Sequence, residues 1–167
     1  QDLVEKQIHG AYPEAEITQT EEYNIFSKTS KVAYSSLQLR DANYLPIKAY
    51  KDLATDTLSS LTTALSKMGP EEGAAVQILV SPADNSWKKL GKSFLSRTKK
   101  AESDPEKASY KMGPKDMEAI DNKLSKPGFE TTIRIVVSAP LEEQAKSHLA
   151  NIKAAFEQVS GELNGFK

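Results

Sequence analysis

Residues 129–156 read "FETTIRIVVSAPLEEQAKSHLANIKAAF", and the hydrophobic period changes partway through them. Positions 129–138 are rich in β-branched residues and end in "IRIVVS", the pattern of a strand. Further on, Leu141, Ala145, Leu149, Ile152, Phe156, Val159 and Leu163 follow at steps of 4, 4, 3, 4, 3 and 4. That spacing lines one face of a helix over 141–163. Glu142 and Glu143 fall in its first turn, where the helix dipole favours negative charge.

The same unit is spelled once upstream. "VQILVS" (76–81) also ends in Ser, meets a Pro and leads into a helix that begins near Asp84 or Asn85. Trp87, Leu90, Phe94 and Leu95 form the apolar side of that helix. Before it, Leu58, Leu61, Leu65 and Met68 mark a helix with Asp56 as N-cap and Gly69-Pro70 as its stop. After it, Pro114 opens a short helix carrying Met117, Ile120 and Leu124, which Pro127-Gly128 ends. A short helix is read over 2–11, and two partly alternating segments, 14–26 and 31–39, read as strands of a hairpin. The order predicts an α+β fold: a ferredoxin-like sandwich with about four strands, mixed or antiparallel, and helices mainly on one face. The polar, Pro-containing stretch 98–113 is the expected mobile loop.

Hydrophobic residues make up 38% and charged residues 27% of the 167, enough for one domain, 1–167, with its own core. The net charge is −1, so no global field draws the chain to nucleic acid or anionic lipid, and such a partner must be met by a local patch. The absence of cysteine removes disulfides, thiolate metal sites and a Cys nucleophile together. A reducing cytoplasm fits that usage. No apolar stretch approaches the length of a membrane span. The chain opens without Met, inside a helical pattern, and is expected to be a segment of something longer.

"SWKKLGKS" (86–93) comes close to a phosphate-binding loop. Gly91, Lys92 and Ser93 supply the second half of G-x-x-x-x-G-K-[ST], but Ser86 stands where the first glycine belongs. Trp87, Leu90 and Phe94 keep helical spacing straight through Gly91, so its amides are committed to helix hydrogen bonds and cannot wrap a phosphate. The stretch reads as a basic amphipathic helix. Lys88, Lys89, Lys92, Arg97, Lys99 and Lys100 crowd its other side with no acid among them. A nucleic-acid backbone or an acidic partner could use such a row; the plainer reading is a solvated face neutralised by the acids of 102–106. Neither "VQILVS" nor "IRIVVS" holds an aromatic residue, which argues against base stacking on a sheet. His9 and His148 have no neighbouring ligand in sequence, and neither a metal nor a cofactor is expected. Trp87 reads as core.

Three blocks, "VEKQIHGAYPEAEI" (4–17), "YLPIKAYKDLATDTLSSLTTALSKM…EGAAVQILVSPA" (44–83) and "KLSKPGFETTIRIVVSAPLEEQAKSHLANIKAAFEQVSGELNGFK" (123–167), carry a family resemblance. Together they resemble the segment preceding the ATPase core in conjugation or type IV secretion coupling-type ATPases of candidate-phylum bacteria. The resemblance fades over 84–122. It implies a Walker A motif beyond Lys167, no catalytic residue within the chain, and partners among the other domains or subunits of such an ATPase. A cytoplasmic location, with the parent protein membrane-associated, follows from the same resemblance. DNA is a possible partner of the isolated domain but not an expected one.

Overall fold

A computed structural model describes residues 2–21, 24–53, 56–102 and 112–167. The element order is α1 (Asp2–Ala11), β1 (Lys31–Leu37), α2 (Thr57–Leu65), β2 (Gly73–Pro82), α3 (Ser86–Glu102), α4 (Pro114–Ser125), β3 (Phe129–Ala139) and α5 (Glu142–Phe156). Short 3-10 turns cover Tyr50–Asp52 and Glu157–Val159.

The strands form a three-stranded sheet ordered β1-β3-β2, with β3 antiparallel to both neighbours. β1–α2–β2 is therefore a split β-α-β unit with β3 inserted between its strands. That much agrees with an α+β reading. The four-stranded ferredoxin-like sheet is not what the described residues form. The expected strand over 14–26 is irregular at 14–21 and 24–26; its alternation supplies a face but no ladder partner, and a strand without a ladder leaves its backbone groups to water. Ile25 still touches the sheet: a methyl placed on Gly73 would lie 2.8 Å from its Cβ.

Two apolar clusters hold the molecule. In the first, Ile133, Ile135, Val137 and Ala139 alternate along β3 and point to the same side as Leu37 of β1. Ala145, Ile152 and Phe156 of α5 pack on them, and Leu61, Ala64, Leu65 and Met68 close the edge. Leu58, expected on that face, is exposed instead. Asp56 caps α2 as expected, accepting the Leu58 amide at 3.1 Å. The Gln144 side chain accepts the Leu141 amide at 3.2 Å and fixes the start of α5. That helix ends at Phe156, earlier than its apolar spacing predicts. Leu163 has left it and joins the second cluster.

The second cluster pairs α3 with α4 through Trp87, Leu95, Met112, Ile120 and Leu124, with Tyr44, Phe94 and Leu163 at its rim. These helices do not cover the sheet; they stand at the end where β2 leaves and β3 begins. There the Ala83 amide donates to Gly128 O at 3.0 Å. Gly128 is required at that junction, since a methyl on it would sit 2.6 Å from the Trp87 ring. The expected loop at 98–113 needs correcting at its start. Residues 98–102 continue α3, and Met112 is buried; its centre, 103–111, lies outside the described residues.

Asn164 ties the two clusters together. Its fully buried side chain accepts from the Asp41 and Gly165 amides at 3.0 and 2.9 Å and donates to Ala42 O and Leu45 O, both at 3.1 Å. Substituting Asn164→Leu keeps the branched shape but overfills the site and leaves the Asp41 and Gly165 amides without their acceptor, so we expect a loss of about 3 kcal/mol in urea denaturation. A loss under about 1 kcal/mol would show that the loop holds itself.

Candidate functional site

The basic row predicted from sequence lies on α3. The helix starts where the Asp84 carboxylate accepts the Ser86 amide at 2.8 Å. The hydroxyl and amide of Ser86 hold that carboxyl below its usual range, and the charge of Lys89 adds to the effect. Trp87, Gly91, Phe94, Leu95 and Thr98 form the inner side. Lys89, Lys92, Arg97, Lys99 and Lys100 are exposed on the outer side, and Lys88 is half-buried.

The structure separates the six cations into groups, with Lys89 set apart as the one whose charge acts on the Asp84 carboxyl. Lys92, Lys99 and Lys100 line one open groove of about 510 Å³ between α3 and α4, where Asp121 supplies a negative charge. Lys88 lies 5.6 Å from the centre of the Trp87 ring, in cation–π range. Arg97 is drawn along the helix by a 3.0 Å hydrogen bond from Nη2 to Ser93 Oγ. From residue 88 to 100 the row spans about 18 Å of helix. It presents point charges without an enclosed pocket, which suits a polyanionic chain better than a small ligand. The acids of 103–106 lie outside the described residues.

Gly91, Lys92 and Ser93 sit inside α3 with no loop around them. The reason for glycine here is packing: a methyl at Gly91 would lie 2.6 Å from Leu124 Cδ2 and 2.9 Å from Tyr44 Cβ. α3 and α4 approach each other at this point, and Tyr44 stacks on Phe94 at 5.2 Å.

Three polar arrangements escaped the sequence reading. Lys123 is drawn inward, its Nζ donating to Asn43 O at 2.6 Å and Leu45 O at 3.0 Å, and burial lowers its pKa. It borders a wider cleft of about 840 Å³ that mixes Lys48, Lys51 and Lys126 with Asp52, Asp116 and Glu162. The third arrangement is His148, which does have a carboxylate neighbour: its Nε2 lies 3.0 Å from Glu72 Oε2, and both side chains are largely buried. Glu72 also accepts the Gly69 amide at 2.7 Å. That amide, and then the hydrogen bond and charge of His148, hold the Glu72 carboxyl below its usual 4.5, against the effect of burial. No group of three metal-ligating side chains occurs among the described residues.

Two expectations follow. Gly91→Ala should cost about 1–3 kcal/mol through overpacking, while Lys92→Ala should stay within about 0.5 kcal/mol. Equal effects in urea denaturation would contradict the packing role of Gly91. Glu72, depressed when folded, contributes stability above its unfolded value near 4.5 that fades as pH falls through the lower folded value. The difference in stability between the natural chain and Glu72→Gln should therefore be full at neutral pH and shrink in acid; a difference that grows in acid would overturn the assignment.

No curated protein and no solved structure matches the chain significantly. A family model described as a domain of unknown function, DUF8128, matches residues 1–161, nearly the whole of the two-cluster fold. The chain belongs to the DUF8128 family.

Proposed function

We propose that the chain is a non-catalytic accessory domain that assembles or positions a DNA-translocating ATPase of the type IV secretion or conjugation kind. It acts in the cytoplasm through protein–protein contacts with other domains or subunits of that machine. The observation that carries the reading is α1. This ten-residue helix has an apolar stripe of Leu3, Val4 and Ile8, yet buries none of its residues. An amphipathic helix gains most of its stability by packing its apolar face on a surface. Its stripe is the kind of feature that a protein partner covers. Among the described residues no helix is long and apolar enough to cross a membrane.

The family resemblance of the three sequence blocks names the partner class. In the parent reading frame a Walker A motif is expected beyond Lys167. A frame without a nucleotide-binding core would remove the basis for an ATPase partner. With the core present, Leu3→Asp together with Ile8→Asp should weaken association of the domain with it by at least ~tenfold. Unchanged association would exclude α1 as the contact. The isolated chain should bind neither ATP nor GTP at roughly millimolar nucleotide, within the ordinary range of enzyme affinities. Affinity lost in Lys92→Ala would overturn the helical reading of "GKS".

A second reading is favoured by the outer face of α3: a nucleic-acid-binding module using Lys88, Lys89, Lys92, Arg97, Lys99 and Lys100. Three or so phosphate contacts would give a slope of about −3 in log K against log salt on duplex DNA, independent of sequence. The leading reading expects a dissociation constant weaker than about 10⁻⁴ M near physiological salt. A micromolar, salt-steep constant in fluorescence anisotropy, abolished by changing Lys88, Lys89 and Lys92 to Glu, would put the second reading first.

A further inference from the structure

β2 is an edge strand, and apart from Pro82 at its end the described residues give it few of the devices that normally protect an edge. Soluble proteins blunt such edges with charge, proline, bulges or a covering segment. Between Gly73 and Pro82 there is no charged residue. Among the described residues no backbone group outside the sheet bonds to this strand. Ile25 lies against its first residue, Gly73, and from Gln77 to Pro82 every residue is exposed. Ile78, Leu79 and Val80 are 57%, 41% and 59% exposed. The opposite edge is treated differently. β1 begins with Lys31, and the chain just after it is closed by reciprocal bonds between Gln38 and Lys167 at 3.2 and 2.8 Å.

We propose that β2 is a homodimerisation edge that pairs antiparallel with β2 of a second copy about a two-fold axis through Leu79. Paired residues of an antiparallel ladder share a face, so the register can be checked residue by residue. Ile78 and Val80 lie on the core side with Ile133 and Thr131, while Leu79 lies on the open side with Thr132. About an axis at Leu79, Ile78 meets Val80 of the second copy and Val80 meets its Ile78. Leu79 meets itself. All three exposed apolar side chains find an apolar partner on their own face. The ladder runs over 76–82, just beyond the end that Ile25 touches, with Pro82 accepting from Val76 of the second copy but donating nothing in return.

The polar residues support the same register. Gln77 is paired with Arg134 and Ser81 with Glu130. The two-fold places Gln77 opposite Ser81 of the second copy. One row then runs Arg134, Gln77, Ser81 of the second copy, Glu130 of the second copy, polar throughout, and symmetry repeats it. An axis at Ile78 would instead put Leu79 opposite Gln77 and lose this match. Both copies keep α2 and α5 on the same side of one continuous sheet.

A single ladder is a small interface, so the dissociation constant should fall at roughly 10–100 μM. Sedimentation of the whole chain across that range should show a reversible monomer–dimer equilibrium; a monomer throughout, up to about 500 μM, would overturn the proposal. The chain has no cysteine, so one introduced thiol reports the register. Opposed Cα atoms about 4.5–5.5 Å apart are within disulfide reach. Leu79→Cys should oxidise to a covalent dimer. Gln77→Cys alone should not, but mixed with Ser81→Cys it should. Failure of Leu79→Cys to cross-link, or equal cross-linking by Gln77→Cys alone, would overturn the register. Val80→Lys should raise the dissociation constant by at least ~tenfold with unchanged circular dichroism. Undiminished dimerisation of the folded variant would overturn the edge itself, and if that variant does not fold, the cysteine pairs still decide.

Discussion

The carbonyl of Leu45 accepts two hydrogen bonds, one from Asn164 Nδ2 and one from Lys123 Nζ. Much of the molecule's arrangement depends on that shared acceptor. Asn164 follows the sheet-and-α5 layer, while Lys123 belongs to α4 in the second cluster. The loop at 41–45 is gripped from both sides, and Tyr44 within it presses on Phe94 of α3. Covalently, the α3–α4 pair is joined to the sheet only through the ends of β2 and β3. The remaining ties there are the Ala83–Gly128 hydrogen bond and the indole resting on Gly128. A buried amide with all four groups paired is stabilising mainly because leaving any of them unpaired is costly.

Close backbone approach explains why a phosphate-loop spelling turns up in a chain with no such loop. Gly91 lets α3 meet Leu124 of α4 and Tyr44 at a distance no side chain would permit. Lys92 and Ser93 follow on the exposed side of the same helix. Glycine thus serves helix packing, lysine serves solubility or a charged partner, and their adjacency has no joint meaning. A phosphate loop needs free amides at a helix start; here the helix has run from Ser86 before Gly91 is reached.

Elements whose period records burial were legible: α2, α4, α5 and β3 all follow from spacing, as does Trp87 in a core. β2 was legible as a strand, but its nearly continuous apolar run, which reads as a buried strand, lies on an exposed edge. Features set by distant partners were not. The segment 14–26 alternates like a strand, but its described residues join no ladder. Leu163 keeps the step of α5, yet the chain turns away at Ser160 and Gly161, whose amides donate to Glu157 O and Asn164 O. Lys123 looks like a solvated helix residue until the carbonyls of Asn43 and Leu45, some 80 positions earlier, are brought to it. Glu72 and His148 meet for the same reason. Of the candidate site, the basic row was visible as composition, but its division into a groove-lining group, an aromatic-stacked lysine and a serine-tethered arginine depends on rotamers and on α4.

The uncovered surfaces differ in chemistry, which bears on how they could work in one protein. The outer side of α3 carries positive charge, and any contact with a polyanion there weakens steeply with salt through counterion release. The β2 edge offers backbone bonds and apolar side chains, whose burial is insensitive to simple salt and strengthened by excluded salts such as sulfate. The stripe on α1 is apolar as well, but it is presented by a helix, so it calls for a groove where β2 calls for a strand. With a net charge of −1, no long-range field biases one surface over another. Each contact is therefore decided locally, and the ionic strength at which a partner is lost identifies the kind of surface that held it.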